Sequence, residues 1–448
     1  MVRHPFVLLA IAWLMLVVPA HGVAADSGIA ADSGPAATAA RHFDPEAATE
    51  AYLATLSPKA RARSDAYFEG RCWMTLWDTV IGVGLSWLLL GTGLSARMRD
   101  VAERRARGPW LQTALYVIPY LLITTVLTLP WAAYGGFYRE HQYGMSTQTV
   151  AAWLGDQGKD LLLSLILVSV AAIVIYAVIR RTGKSWWLWG AVVAVVLQGV
   201  MAAITPDVLE PVFNRFYPLA DSPLKASILA MARANGIPAT EVYEFDASRQ
   251  TTKISAHVSG LLGSARISVN DNLMARGSPE EVKSIVGHEM GHYVLHHIGK
   301  GLVFYGLINA VAFAFLSWAY GRVQARYGVR WRIGAVTDLA GLPVLVALFS
   351  LYFFAMTPIV NTITRTAEAE ADMFGLDAAR EPDGFAQAAL QLSEYRKMRP
   401  GPIEEFVLFD HPSGWNRIHR AMAWKAENIA APDIVAYDAA HPGPGTHR

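Results

Sequence analysis

The sequence predicts a mainly α, polytopic membrane helix bundle of about seven spans carrying a small α+β domain with a metal-type motif. Three observations carry this. Hydrophobic residues make up 53% of the 448 and charged residues only 17%, which no set of soluble domains matches. Several apolar runs each approach the roughly 20 residues that cross a bilayer. One polar stretch, residues 205–300, alternates helix and strand patterns instead.

Taken in order, Arg3 and His4 precede an apolar run and then Gly22, Val23, Ala24 and Ala25, so residues 1–25 read as a signal peptide or a first membrane helix. Residues 26–73 are a polar N-terminal segment, expected to be disordered first and helical from about Asp44. Residues 74–204 hold four apolar runs, at 74–96, 111–134, 161–179 and 186–204, and residues 301–360 hold two more, at 301–320 and 339–360. Within 205–300, Ser222 and Pro223 start a helix that Gly236 ends. Residues 242–245, 251–259 and 266–269 read as strands, with Gly260 and Gly263-Ser264 turning between the last two. Residues 361–448 form the C-terminal segment.

The loops alternate in charge. Arg97, Arg99, Arg104, Arg105 and Arg107 fill one; Arg180, Arg181 and Lys184 another; Arg322, Arg326, Arg330 and Arg332 a third. The positive-inside rule puts these loops in the cytoplasm and residues 205–300 on the other side, which for this signal-like N-terminus reads as a bacterial inner membrane with a periplasmic site. The net charge of +1 gives no nucleic-acid footprint, and Cys72, as the single cysteine, excludes an internal disulfide and a Cys-based zinc site.

The chemistry centres on Gly287-His288-Glu289-Met290-Gly291-His292, an H-E-x-x-H pattern. Positions four apart share a helix face, so both imidazoles can reach one ion, and Glu289 can serve as base toward a metal-bound water. Ser278 as N-cap, Pro279 at N1 and Glu281 in a capping box start that helix. The plain alternative is two hydrogen-bonded helix histidines beside an acid. A third ligand distinguishes the readings. His296 or His297 would line up along one helix, and Ile298 stands where a metzincin needs histidine. A carboxylate of residues 361–372 is the remaining source. Glu368 and Asp372 share a face there, while Glu370 points away by roughly 160°. Glu368 as ligand, with Asp372 accepting from a ligand histidine, makes chemical sense; a solvated acidic helix is the rival.

His288-Glu289-x-x-His292 followed by Asn361-x-x-x-Arg365-x-x-Glu368-x-x-x-Asp372 resembles the integral-membrane zinc metalloproteases of the type 1 CAAX prenyl protease family, the a-factor-converting enzymes among the gluzincin metalloendopeptidases. Pro211-Val212-Phe213-Asn214-Arg215-Phe216-Tyr217-Pro218-Leu219, Trp186-Trp187-Leu188-Trp189, and His411-Pro412 with Arg417 also resemble family segments. The resemblance implies seven spans and one zinc ion per chain on His288, His292 and Glu368, with Glu289 as general base. It implies His411 as donor to the oxyanion, and Arg417 as its support or as binder of a substrate carboxylate. Ser255, Ala256, His257 and Val258 match a strand whose edge pairs with substrate. Asn361 and Arg365, two turns and one turn before Glu368, read as supports of the ligands or contacts to substrate. Eukaryotic members face the cytosol, against the charge pattern here.

The function expected is peptide-bond hydrolysis, with the lipid bilayer and a peptide or protein substrate, membrane-associated ones included, as partners. Two other classes are an inactive metal-binding chaperone or scaffold, and a transporter with a structural metal site. The first would show a replaced Glu289, and the second would line several spans with charge, whereas Asp78 and Asp338 sit near span ends.

Overall fold

The structure is a computed structural model that describes residues 43–260, 265–430 and 432. The expectations for residues 1–25, for the start of the polar segment and for the Gly263-Ser264 turn lie outside them.

Helix α1 (Pro45–Ala54) is capped by Asp44, and α2 (Pro58–Gly91) by Ser57. Ser57-Pro58 therefore splits the polar helix expected from Asp44, because the residue before proline leaves the helical region. The second half runs straight into the first span. Gly93, at φ +69, ends that span earlier than residue 96 and starts α3 (Leu94–Arg105). Next come α4 (Pro109–Ala133), α5 (Val150–Thr182) and α6 (Trp186–Ile204). The polar segment supplies α7 (Pro223–Ala234), α8 (Asp271–Arg276) and α9 (Pro279–Val294). The rest of the chain gives α10 (His297–Trp331), α11 (Leu342–Ala379), α12 (Pro382–Gln391), α13 (Pro402–Leu408) and α14 (Gly414–Asn428).

Five helical stretches are long and apolar enough to cross a membrane. The longest, Val150–Phe213, reverses at Gly183, where φ is +54, so α5 and α6 pack side by side through Tyr176, Ile179, Trp186 and Ala191. The stretches thus contain five of the six apolar runs expected between residues 74 and 360, and the first, 74–96, as far as Gly91.

The contacts sort the loops to two ends. At one end Arg99 Nη1 lies 2.7 Å from Asp338 Oδ2, Arg332 Nη2 lies 2.7 Å from Asp100 Oδ2, and Arg180 donates to Thr113 at the start of α4. All three basic loops therefore share this end. At the other end Thr251 Oγ1 donates to Met145 O, and Lys253 Nζ lies 2.7 Å from Glu140 Oε2. Helix α1 joins that second end, where Tyr52 and Leu53 pack with Phe385, Ile418 and Trp424, and Tyr52 Oη donates to Asp383.

The polar segment folds on a four-stranded sheet, β1 (Phe216–Pro218), β2 (Val242–Phe245), β3 (Ala256–Ser259) and β4 (Arg266–Asn270), in the order β1-β2-β4-β3. Strand β3 runs antiparallel to β4 and is an edge. The strand expected over residues 251–259 is shorter than that. Asn270 and Asn272 side chains donate to the Thr251 and Lys253 carbonyls, which holds residues 251–253 out of a ladder. Strand β1 was not expected; its three residues pair with β2 without an apolar alternation to announce them.

Helix α9 has the expected capping box of Ser278 and Glu281. It crosses α11 along a seam of small residues. A Cβ added at Gly287 would lie 3.2 Å from Gly375 O, one at Gly291 3.0 Å from Ala371 Cα, and one at Gly375 2.8 Å from His288 N. Ala367 and Ala371 are fully buried in the same seam. Close backbone approach of this kind needs glycine or alanine on both helices.

Gly375→Ala pushes a methyl group into the His288 backbone. It should cost about 1–3 kcal/mol, as overpacking does, and lower the thermal midpoint of the solubilised protein. Gly299→Ala, whose Cβ would meet nothing within 4 Å, is the control and should not lower it. Equal midpoints for the two variants would show that the seam is not tight.

Candidate metal centre

The seam sets the positions of the polar side chains beside it. His288 and His292 sit one turn apart on α9 and face Glu368 of α11. His288 Nε2 lies 3.1 Å from His292 Nε2 and 3.2 Å from Glu368 Oε2, and His292 Nε2 lies 3.6 Å from Glu368 Oε1. One ligand atom from each falls within 4.8 Å of the others, the one such His/Cys/Asp/Glu group among the described residues. Glu368 Oε2 is buried without a hydrogen-bond partner. Two imidazole nitrogens and a carboxylate oxygen aimed at one point fit a divalent ion of the zinc type.

Asp372, one turn beyond Glu368, is fully buried and collects cations. His288 Nδ1 is 2.9 Å from its Oδ1, Arg417 Nε 3.1 Å from the same oxygen, and Arg420 Nη1 2.8 Å from Oδ2. Arg417 is therefore held against Asp372 and reaches His288 Nδ1 at 3.4 Å. Burial pulls the His288 imidazole down, but the neighbouring carboxylates of Asp372 and Glu368 outweigh it and lift the group to about 9. His292 goes the other way, lowered by burial to about 4.

Glu289, next to His288 in the chain and partly buried, lies close enough to His288, Glu368, His257 and His411 for their charges to act on it. Burial raises its pKa, against the pull of His288. His411 Nε2 is 3.2 Å from Glu368 Oε1, and its Nδ1 is 2.9 Å from Asp410 Oδ1. Burial and Arg396 work against the His411 charge, yet Glu368 and Asp410 leave its pKa raised. Asn361 and Arg365 hydrogen-bond none of His288, His292 and Glu368. Asn361 Nδ2 donates to Val407 O, and Arg365 Nη1 to Glu405 O and Phe409 O. Both pin α13 and the turn that delivers His411.

Strand β3 lies against α9, with His257 Nε2 3.3 Å from Glu210 Oε2. Ser255 is tied by its N–H to Asn270 Oδ1, and Ala256, His257 and Val258 pair with β4. Arg420 was not foreseen, and His297 and Glu370, weighed in the sequence only as possible ligands, take other places. His297 lies 3.0 Å from His292 Nδ1, Glu370 Oε2 lies 3.2 Å from His297, and Arg420 joins Arg417 on Asp372. The run His296-His297 was a visible signal, but only the turn after α9 decides which histidine returns.

Residues 41–215 match the family described as CAAX prenyl protease N-terminal, five membrane helices, and residues 218–425 match peptidase family M48. The metalloprotease YhfN of Bacillus subtilis is 32% identical over 349 residues, 76% of this chain and 81% of that protein. CAAX prenyl protease 1 of Saccharomyces cerevisiae is 25% identical over 310 residues, 65% of this chain and 68% of the yeast protein. The crystal structure of S. mikatae Ste24p superposes with a TM-score of 0.70 at 20% identity, over 84% of this chain and 95% of that one, and so shares the fold. These likenesses favour neither a transporter nor an inactive scaffold: the chain belongs to peptidase family M48 and is a multi-pass membrane metalloprotease of the CAAX prenyl protease 1 group.

Proposed function

We propose that the chain is a zinc endopeptidase in which Glu289 is the general base. The observation that supports this best is the convergence of His288, His292 and Glu368 beside Glu289. Two imidazoles and one carboxylate leave a coordination position open on zinc. Zinc bound there supplies Lewis-acid polarisation of the scissile carbonyl and a water of lowered pKa. Glu289 takes the proton of the attacking water on its carboxylate and passes it to the leaving amine; the raised pKa suits both halves of that task. His411, oriented by Asp410, offers Nε2–H to the oxygen that gathers charge. Asp372 holds His288 through Nδ1, and Arg417 and Arg420 hold Asp372. Asn361 and Arg365 act through the backbone before His411.

The substrate is an extended peptide segment lying along β3, where Ser255, Ala256, His257 and Val258 present the sheet's free edge. The yeast relative is by name a prenyl protease; for this chain the proposal extends to peptide bonds of membrane-associated proteins, without prenyl specificity. The shared end of the three basic loops supports a cytoplasmic location for them and a periplasmic site in a bacterial inner membrane.

Four outcomes follow from this reading. Purified protein holds about one zinc per chain, and His288→Ala or Glu368→Ala loses it. Glu289→Gln keeps zinc, lacks turnover on a fluorogenic peptide, and retains trapped peptides that mass spectrometry identifies; full activity in this variant refutes the mechanism.

Metal loading at pH 7.5 should release about one proton, because metal-free His288 is still protonated below about 9 while His292 is already neutral. Calorimetry in two buffers of different ionisation enthalpy measures it. The apparent affinity should fall by about tenfold per pH unit below that value. A pH-independent affinity between 6 and 9 contradicts the assignment of His288.

A periplasm-active reporter fused after Glu404 should be active, and one fused near Arg105 silent. The reverse pattern inverts the orientation.

A further inference from the structure

The two ligand histidines are held by different means. His288 gives its Nδ1 proton directly to a carboxylate, Asp372. His292 meets another imidazole: its Nδ1 lies 3.0 Å from His297 Nδ1, and His297 Nε2 lies 3.2 Å from Glu370 Oε2. His297 is fully buried, and Lys300 Nζ lies 3.6 Å from the same Glu370 oxygen. In an unbroken helix a residue five positions on would sit about 140° round from His292 and could not touch it. His296 breaks the helix with φ 55 and ψ 39, a left-handed conformation, and so returns His297 to His292.

The protons follow from the contacts. A ligand His292 presents the Nε2 lone pair to the centre, so its proton is on Nδ1. Two facing Nδ1 atoms need one donor and one acceptor, so His297 Nδ1 accepts. The His297 proton is then on Nε2 and is donated to Glu370. With His292 as ligand and both rings neutral, one arrangement satisfies these two contacts.

We propose that His297 and Glu370 are positioning residues, a two-step relay that fixes the tautomer and ring orientation of His292. The inference rests on the reading of His292 as a zinc ligand. It also gives Glu370 a task, although the helix face turns it away from the centre.

The test is zinc affinity of the full solubilised chain, measured by competition with a chromogenic chelator. His297→Phe keeps a ring without an acceptor and should weaken zinc binding by about 10–100-fold. His297→Asn, whose Oδ1 can stand in for Nδ1, should recover most of that loss. Glu370→Ala, at a partly exposed position, should weaken binding by about threefold or more. In the His297→Phe background it should cost nothing further, because its effect passes through His297. Binding within about twofold of wild type in His297→Phe, or an undiminished Glu370→Ala loss in that background, overturns the relay. Should His297→Phe fail to fold, Glu370→Ala alone decides, and unchanged affinity there overturns the relay. His292→Ala separates the two levels: retained zinc would overturn the ligand reading itself, whereas lost zinc beside unaffected His297 and Glu370 variants would overturn only the relay.

Discussion

The site depends on how closely two helix backbones approach. Gly287 and Gly291 on α9 face Ala371 and Gly375 on α11, with no room for a further methyl group between them. At this distance a histidine from one helix and a carboxylate from the other meet tip to tip, within the span of one ion. Side chains larger than alanine in the seam would separate the donors by more than a ligand bond tolerates. Helix α11 is also a single 38-residue element that begins among the spans and ends beyond Asp372. The carboxylate therefore sits on a rod anchored in the apolar cluster of Val346, Phe349 and Phe353 rather than on a loop. Rigid elements hold a metal geometry better than loops do.

Close packing of this kind buries charge, and the charges are arranged to make that tolerable. Asp372 would be costly where it lies without partners. Arg417 and Arg420 come from α14, and His288 from α9, so one carboxylate ties three helices together. Glu368 is left with Oε2 free of any hydrogen bond while His411 approaches Oε1. The contrast is chemical: the fully satisfied carboxylate supports, and the incompletely satisfied one is available to a cation. His411 reaches its place through the Asn361 and Arg365 clamps on the Glu405, Val407 and Phe409 carbonyls.

Much of this was legible in the sequence because it depends on short-range period and capping. The H-E-x-x-H spacing, the Ser278 capping box and the i, i+4 relation of Glu368 and Asp372 are all properties of one helix at a time. Span positions followed from apolar length, and strands β2 and β4 from composition. What escaped depends on two elements at once. Gly375 is an ordinary residue until α9 lies on it. The backbone clamp by Asn361 and Arg365 needs α13 beside α11. His297 reaches His292 only because His296 takes a left-handed conformation, which histidine adopts less readily than glycine. Residues 251–253 carry a strand-like composition, yet the amides of Asn270 and Asn272 claim their carbonyls first.

The same two-ended arrangement bears on the membrane. Four spans separate α1 from the polar segment, an even number, so both must emerge on one side; the packing of Tyr52 and Leu53 against Phe385 and Trp424 meets that requirement. The basic loops meet at the opposite end through Arg99, Asp100, Arg332 and Asp338. Only the Arg and Lys of short loops near span ends bear on insertion, and long polar segments cross largely regardless of charge. The many cations of residues 205–300 and 361–430 therefore carry little weight in orientation. The three basic loops carry most of it, and they sit together at the end of the bundle opposite His288, His292 and Glu368.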